Sequence, residues 1–450
     1  MLEKMKYLGI ALPEIIRKYK DIGDLSKADS IIDMMLDDDK VPEEMKERLI
    51  LEKEILRRYP ENYPYTEEEG LQMIRQEIPD FTMEELQQWE DRRAAEFVYI
   101  NGEKRLYKRF FGTMKKVYPD LAKRAGIDKD FYANPLLDEN IACMKKNGHA
   151  VWHFRLRHQL RIKDEAFRPG EKITVHLPVP TDAVNMKNIR IISTEPEGYA
   201  SDLHSGQRTV CFSGAFQENR PFAVEYEYDS ETVYNCPEKG FDDGNFREFT
   251  REEAPQIVFT PVIRLIGDRL RGTETDPVVL ARRVYDFVTT KMVYSFVRQY
   301  LLLGIIPEYA IGEMKGDCGV QALTFITLCR YLGIPARWQS GQFVEPSDIG
   351  NHDWAMFYAA PYGWMFADCS FGGAAYRAGN TERHNYYFGN LDPFRMASCS
   401  EFMCEFDPPK KHYRIDPYDN QSGEAEYEDR GLDGSEFETE RTVIDCKKTA

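Results

Sequence analysis

A cysteine, a histidine and an aspartate follow one another in the last third of the chain, each in a distinct local sequence. Cys318 lies in GDCGVQALTFITLCRYLGIPAR, His352 in NHDWAMFYAAPYGW and Asp368 in FADCSFGG. A cysteine thiolate can attack a carbonyl carbon, a histidine can move the proton, and a carboxylate can orient the imidazole. These three residue types in this order therefore predict nucleophilic catalysis on an acyl group.

The element that carries Cys318 is predicted to be a buried helix. An apolar run follows Asp317, and Gly333 with Pro335 gives a signal for the end of a helix. Cys318 then lies in the first turn, where free backbone N–H groups and the positive end of the helix dipole favour a thiolate. We expect this position to lower the pKa of the thiol and to stabilise an oxyanion.

Two strands joined by a Pro-Tyr-Gly turn are predicted to carry the other two residues. Alternation puts His352 and Trp354 on one side of the first strand. Antiparallel pairing brings Asp368 back beside His352, where a carboxylate can fix the imidazole tautomer. The same alternation points Asp353 to the other side, which predicts a solvated or loop-capping carboxylate. Capping the turn before Ser370 is the alternative role for Asp368.

These motifs resemble the transglutaminase-like superfamily, whose catalytic domain is a papain-like cysteine-enzyme core, over residues 255–395. The glycine-rich GDCG before the helix, GIPAR after it, the histidine two residues before Trp354, and GW before the aspartate carry the resemblance. By position, it implies that Cys318, His352 and Asp368 are the catalytic residues. It also implies a thioester acyl-enzyme formed on amide bonds of proteins or peptides, in a bacterial-type multidomain member.

The chain departs from the family at the second oxyanion donor. Cross-linking members use an upstream tryptophan, yet no tryptophan occurs between Trp152 and Trp338. Tyr294 and Gln321 are the candidate replacements. This departure puts cross-linking in doubt, so hydrolysis by peptidase or deamidase action and acyl transfer to an amine both stay open.

Four regions of different periodicity predict an α+β protein. Residues 1–135 have helical spacing and contain a hairpin signal at 97–107. Residues 147–236 alternate with period two and predict a β-sandwich that resembles an immunoglobulin-like domain. Residues 250–410 combine a helix with an antiparallel sheet, as in the papain-like transglutaminase core. Residues 411–450 form an acidic tail that either wraps the domain or frays.

Composition narrows the partners and the compartment. The formal net charge of −17 disfavours nucleic acid and anionic membranes as partners. A protein or peptide substrate is expected, and the sequence gives no oligomeric state. Nine cysteines at irregular spacings, without a signal peptide, predict reduced thiols and a cytoplasmic location. No cofactor is expected.

Two competing interpretations remain open. A metal site could use Cys399, Cys404, His412 and Cys446, although their spacing does not match the usual zinc patterns, so no metal is expected. Alternatively, the protein could keep the fold without the chemistry and act as a binding or scaffold module. The aromatic segment 384–395 predicts a surface loop over the site.

Overall fold

The computed structural model describes residues 2–127 and 133–449 of the chain. Its N-terminal part is helical, and polar residues fix where helices begin: Thr66 and Thr82 each form a capping box with a glutamate three residues later. A 3₁₀ helix spans Leu2–Gly9. The α-helices are α1 (Glu14–Asp21), α2 (Leu25–Leu36), α3 (Glu43–Asn62), α4 (Glu67–Glu77), α5 (Met83–Asp91), α6 (Phe110–Val117), α7 (Pro119–Arg124) and α8 (Pro135–Asn147).

A β-hairpin interrupts these helices where the sequence predicts one. Strands β1 (Phe97–Ile100) and β2 (Glu103–Leu106) pair antiparallel, with Ile100 opposite Glu103. The two turn residues Asn101 and Gly102 both have positive φ, at 51° and 87°. A two-residue hairpin turn of this hand requires that backbone conformation, which the Asn-Gly pair adopts readily.

A β-sandwich follows, because alternate residues of its strands are buried. In the first of them, β3 (His149–Ile162), buried side chains occur at nearly every second position. The other strands are β4 (Lys172–Pro178), β5 (Met186–Glu195), β6 (Tyr199–Ala200), β7 (Thr209–Ala215) and β8 (Phe222–Val233). The two sheets share a core in which the rings of Phe212 and Phe222 lie 5.6 Å apart.

The next part of the chain packs helices against an antiparallel sheet, which confirms the predicted α+β class. Its helices are α9 (Pro261–Arg271), α10 (Pro277–Lys291), α11 (Ile306–Glu313), α12 (Cys318–Tyr331), α13 (Cys369–Arg377) and α14 (Thr381–Tyr386). Its strands are β9 (Val293–Tyr294), β10 (Lys315–Gly316), β11 (Ala336–Glu345), β12 (Asp348–Ala359), β13 (Gly363–Ala367), β14 (Phe388–Gly389) and β15 (Arg395–Cys399). Short 3₁₀ helices span Arg247–Thr250 and Tyr300–Leu302.

The five-stranded sheet and helix α12 position the candidate catalytic residues. The strand order is β14-β13-β12-β11-β15, and β9 pairs separately with β10. Helix α12 packs on the sheet, with the ring of Phe325 5.9 Å from that of Phe357 on β12. Strands β12 and β13 pair up to Ala355 opposite Ala367. Asp368, the residue after β13, therefore lies near the start of β12.

The C-terminal residues are part of the sandwich, which corrects the prediction of a separate tail. Strand β16 (Glu424–Tyr427) pairs with β4, and β17 (Phe437–Lys448) pairs with β3. The two sheets therefore have the orders β16-β4-β7-β6 and β17-β3-β8-β5. The predicted limits of 147–236 omit one edge strand from each sheet, because a single sequence does not reveal pairing between strands so distant along the chain.

The helical N-terminal part docks beside helix α12 through a partly buried carboxylate. Glu96 accepts hydrogen bonds from Tyr63 and Arg298, at 2.6 and 2.9 Å, and its second oxygen lies 3.3 Å from the Lys315 ammonium. Tyr107 adds a hydrogen bond from its hydroxyl to the carbonyl of Val297. These contacts bring α6 to the candidate active site. Over the described ranges, none of the helices has the length and apolar character needed to cross a membrane.

Candidate active site

Cys318 is the first residue of α12, as the sequence predicts. Asp317 caps the helix by accepting a 3.1 Å hydrogen bond from the Val320 N–H, and it also accepts one from the Tyr300 hydroxyl at 2.7 Å. The helix ends at Tyr331, and Gly333 follows with φ of 85°. The predicted position of the thiol at a helix N-terminus is therefore confirmed.

The hydrogen-bond partner of the thiol is Asp353. Cys318 Sγ donates a hydrogen bond of 3.3 Å to Asp353 Oδ2, and no hydrogen bond joins Cys318 to His352 in the described part of the chain. Asp353 is only 4% exposed. The prediction of a solvated or loop-capping Asp353 is wrong. Strand alternation separates it from His352, but the face that it occupies is the one that meets the start of α12.

The environment of Cys318 raises the pKa of its thiol, contrary to the sequence-based prediction. Burial is the largest cause, and the carboxylates of Asp353 and Asp317 add to it because a thiolate would repel them. The helix N-terminus favours the thiolate, but the net shift of the thiol pKa is upward. In this arrangement Cys318 carries its proton at neutral pH.

Asp353 is one of several carboxyls at the site whose pKa is raised by burial. Burial raises the pKa of Asp353, and the neighbouring Asp419 raises it further. Burial also raises the pKa of Asp317, to about 6. Gln421 donates hydrogen bonds to Asp353 Oδ1 and, at 3.1 Å, to the carbonyl of His352. The segment that leads into β16 therefore packs directly on the residues beside the thiol.

His352 is held on three sides. Its Nε2 lies 2.7 Å from Asp368 Oδ2, which confirms the predicted proximity of the two residues. Its ring stacks on Trp354, with centroids 5.9 Å apart, and meets the edge of Phe371 at 4.8 Å. Burial lowers the pKa of His352, while Asp368 opposes that shift. The imidazole is thus oriented by a carboxylate, as a general base requires.

Asp368 has both of the roles that the sequence offered as alternatives. Besides contacting His352, it caps α13 by accepting a hydrogen bond from the Phe371 N–H at 3.0 Å. Arg395 donates to the same Asp368 Oδ2 at 3.0 Å, and both side chains are fully buried. Although burial opposes it, the charges of His352 and Arg395 lower the pKa of Asp368. The Asp368 carboxylate is therefore ionised at neutral pH.

Arg395 is a site residue that the sequence patterns did not predict. The segment 384–395 was predicted to be a surface loop, but it forms part of α14 and strand β14, and Arg395 begins β15 inside the core. Its guanidinium also binds Asp392 Oδ1 at 3.0 Å and lies 4.1 Å from the centroid of the Phe371 ring. The buried acids Asp368 and Asp392 require a cation, but no local pattern in the sequence indicates which one.

Cys318 and His352 line two adjoining cavities. Cys318 and Asp353 line a cavity of about 790 Å³, and His352 lines one of about 290 Å³. Both cavities share the side chains of Lys116, Tyr294, Phe343 and Asn351. The candidate nucleophile and candidate base thus face two parts of one cleft, in which a peptide-sized ligand could extend.

The two candidate oxyanion donors differ in placement. Tyr294 lines both cavities, and burial followed by the charge of Cys318 raises the pKa of its hydroxyl, so it is available as a donor. Gln321 is buried and donates its amide to the carbonyl of Gly316 at 2.9 Å. Gln321 is not among the residues that line either cavity, because its position on α12 turns its side chain toward β10.

The packing around Gly319 explains why the second glycine of the GDCG motif has no side chain. A Cβ atom at this position would lie 2.1 Å from the Tyr300 hydroxyl and 2.7 Å from Asp353 Oδ2. Real Cβ atoms do not approach other atoms so closely. The absence of a side chain therefore admits both polar groups to the start of α12.

Two of the residues considered for a metal site lie on different sheets. Cys399 is on β15 of the five-stranded sheet, whereas Cys446 is on β17 of the sandwich. Within 2–127 and 133–449, no group of three or more histidine, cysteine or acidic side chains is arranged to bind a metal ion.

The candidate site combines a cysteine at a helix N-terminus with a histidine and an aspartate held by an antiparallel sheet. Residues 264–369 match the model of the transglutaminase-like superfamily, and all three residues lie in that range. This segment of the chain is accordingly a member of the transglutaminase-like superfamily. No curated protein matches the chain.

Several solved structures are similar to the chain at low identity. A candidate cysteine protease from Cytophaga hutchinsonii is 14% identical, with 66% of this chain and 91% of that chain covered and a TM-score of 0.43. The periplasmic domain of TgpA from Pseudomonas aeruginosa is 12% identical, with 55% and 96% covered and a TM-score of 0.29. A candidate protease from Parabacteroides distasonis is 10% identical, with 50% and 60% covered and a TM-score of 0.23.

Proposed function

We propose that this protein is a cysteine-dependent enzyme that acts on amide bonds of proteins or peptides through a thioester on Cys318. The observation that carries the proposal is the Cys318 thiol at the start of α12, which opens on a cavity of about 790 Å³. His352 lies in the adjoining cavity with its imidazole oriented by Asp368. Together they supply a nucleophile and a base on one cleft.

The proposed reaction begins with transfer of the thiol proton of Cys318 to Nδ1 of His352. The thiolate attacks the carbonyl carbon of the amide, and His352 gives the proton to the amine nitrogen as the C–N bond breaks. Water or a second amine then breaks the C–S bond of the thioester, which gives hydrolysis or acyl transfer and regenerates the thiol. Since the thiol donates to Asp353 before substrate binds, rotation of Cys318 toward His352 is part of this proposal.

A second candidate function is a catalytically inactive transglutaminase-fold protein that acts as a binding or scaffold module. The hydrogen bond from Cys318 to Asp353 favours it, as does the raised pKa of the thiol, because a protonated thiol is a poor nucleophile. On the first proposal this arrangement is a resting state. On the second it is permanent.

Turnover separates the two candidates. The purified chain is incubated with a peptide library and a labelled amine, and mass spectrometry distinguishes deamidation, cleavage and amine incorporation. We expect products with the wild type and with Cys236→Ser, which changes an exposed free cysteine, but none with Cys318→Ser. Peptide binding without any product, or products that persist in Cys318→Ser, would reject the catalytic proposal.

The remaining finer assignments belong to the same proposal. An immunoglobulin-like origin of the sandwich is supported by its two antiparallel sheets of four strands each. A cytoplasmic location is supported by nine cysteines that are all free thiols. Fractionation of cells that express the tagged chain tests the location, and recovery in an extracytoplasmic fraction would contradict it.

A further inference from the structure

Two cations lie together at the Cys318 cavity on one aromatic ring. The Arg109 guanidinium lies 3.3 Å from the centroid of the Phe296 ring, and the Lys116 ammonium lies 5.2 Å from the same centroid. Lys116 also lies 4.1 Å from the centroid of Tyr294. All four residues line the cavity. The rings hold two long, flexible side chains in place beside the candidate nucleophile.

Neither cation has a carboxylate partner in the described part of the chain. Two other cations of the same lining do have one: Lys108 lies 3.5 Å from Glu61, and Arg298 lies 2.9 Å from Glu96. The remaining cation of the lining, Arg441, donates a hydrogen bond to the side-chain oxygen of Asn351. The chain carries a net charge of −17, so acidic side chains are in excess. Two like charges held near each other without a counter-ion repel, and an anionic ligand would relieve this repulsion.

The charges around the thiol are arranged asymmetrically. Asp353 and the helix cap Asp317 lie on the buried side, at the start of α12. Arg109 and Lys116 belong to the N-terminal helical part and are exposed as residues. Desolvation of the ammonium lowers the pKa of Lys116. Lys116 and Cys318 line the same cavity. A negative group that enters the cavity therefore meets cations at its exposed side.

We propose that the Cys318 cavity selects substrates that carry a carboxylate next to the scissile amide, with Arg109 and Lys116 binding that carboxylate. The inference rests on the proposed function, because it names the substrate class of the same site. An acidic side chain beside the reacting residue and a free peptide C-terminus both present this chemistry. The docked helical part then supplies substrate specificity, while the transglutaminase-like core supplies the nucleophile.

Alkylation of Cys318 tests the cations without any substrate. Iodoacetate carries a carboxylate beside the reacting carbon, whereas iodoacetamide is neutral but otherwise similar. The ratio of their rates at Cys318, read by mass spectrometry, cancels changes in thiol reactivity. We expect Arg109→Gln with Lys116→Gln to lower the ratio about threefold to tenfold at low salt. An unchanged ratio in this double variant overturns the proposal.

Two controls guard against a folding defect and a general charge effect. Lys108→Gln removes a cavity-lining cation that is already paired with Glu61, so it should leave the ratio unchanged. Arg109→Lys with Lys116→Arg keeps both charges and should restore the wild-type ratio. If either control lowers the ratio of rates as much as the double glutamine variant does, the result counts against the proposal.

Matched peptides then identify the source of the carboxylate. Glutamate and glutamine are compared beside the reacting residue, each with a free or an amidated C-terminus. Binding is measured with Cys318→Ala, and turnover with the wild type. Preference for either carboxylate that disappears in the double glutamine variant supports the proposal, and equal binding of all four peptides overturns it. Binding preference without turnover rejects the catalytic function alone.

Discussion

Two buried aspartates beside the cleft, Asp368 and Asp353, have pKa values that are shifted in opposite directions. Asp368 contacts His352 and Arg395, and their charges lower its pKa against the effect of burial. Asp353 contacts the Cys318 thiol, and burial together with Asp419 raises its pKa. No ion pair reaches Asp353 in the described ranges, whereas Asp368 has a buried arginine. The residue type is the same, and the neighbouring charge decides the outcome.

The two parts of the site are therefore prepared to different degrees. In the histidine part, made of His352, Asp368 and Arg395, an ionised carboxylate orders the imidazole before any substrate arrives. In the cysteine part, made of Cys318, Asp353 and Asp317, the thiol is protonated and needs a change of partner before it can react. Four predictions test this difference.

Removal of Arg395 should have the largest effect, since it would leave Asp368 and Asp392 without their buried cation. We expect Arg395→Met to lower the free energy of unfolding by about 3–5 kcal/mol. Denaturant unfolding measures this change. Lys411→Met breaks an ion pair with Glu428 that is exposed, and it should leave the midpoint unchanged within error. Equal effects of the two substitutions would show that Arg395 does not stabilise the histidine part.

Asp317, in the cysteine part, has a pKa that is shifted in the opposite direction to that of Asp368. Burial raises its folded pKa to about 6, above an unfolded value of about 3.9. Its contribution to stability is therefore fully present below pH 4 and is lost as pH rises through 6. Asp317→Asn retains a good helix cap but does not titrate. Relative to wild type, we expect this variant to gain on the order of 2–3 kcal/mol between pH 4 and pH 7.

The matched control for Asp317 is Asp276→Asn, which makes the same exchange at the cap of α10. Unfolding midpoints at pH 4, 5, 6 and 7 give both differences. A pH-independent difference for Asp317→Asn would contradict the assignment of a raised pKa to this carboxyl.

Gly319 tests whether the cysteine part depends on the space at the start of α12. A Cβ atom would overlap the Tyr300 hydroxyl and Asp353 Oδ2, so Gly319→Ala should destabilise the protein by about 1–3 kcal/mol. Gly312→Ala on α11 meets no atom within 4 Å and should be neutral or stabilising. Thermal unfolding compares the two, and a neutral Gly319→Ala would mean that the packing there is loose.

Asp353→Asn should make the cysteine part more reactive. The substitution removes a carboxylate that raises the pKa of the thiol, and each pKa unit recovered increases the thiolate fraction about tenfold. We expect labelling of Cys318 by iodoacetamide at neutral pH to rise about tenfold, and its pH midpoint to fall. Asp368→Asn should give no such rise. Equal rates for wild type and Asp353→Asn would refute the inhibitory role of Asp353.

Local patterns in the sequence were sufficient to predict the helix and strands around the cleft and part of the candidate site. Apolar spacing and the glycine stop signal placed Cys318 at the start of α12, and the turn between two alternating strands brought Asp368 beside His352. These inferences succeed because each depends on residues close in the chain. The motifs that suggested the transglutaminase-like core are of the same local kind.

Contacts between distant segments were not predictable. Asp353 is adjacent to His352 in the sequence, but its role follows from Asp419, which precedes a strand of the sandwich. Arg395 and Lys116 likewise come from segments that the sequence assigned to a surface loop and to a separate helical region. Alternation along one strand says which side a residue faces, but not what the rest of the chain places there.

Local sequence patterns were enough to predict the secondary structure around the cleft and the three residue types that could perform acyl chemistry. Tertiary structure decided their electrostatics: which carboxylate meets the thiol, which one has an arginine, and which cations remain unpaired at the cavity. The physical reason is that a pKa depends on burial and on charges within a few ångströms. Those neighbours come from the helical N-terminal part, the sheet and the C-terminal strands, which meet only in the folded chain.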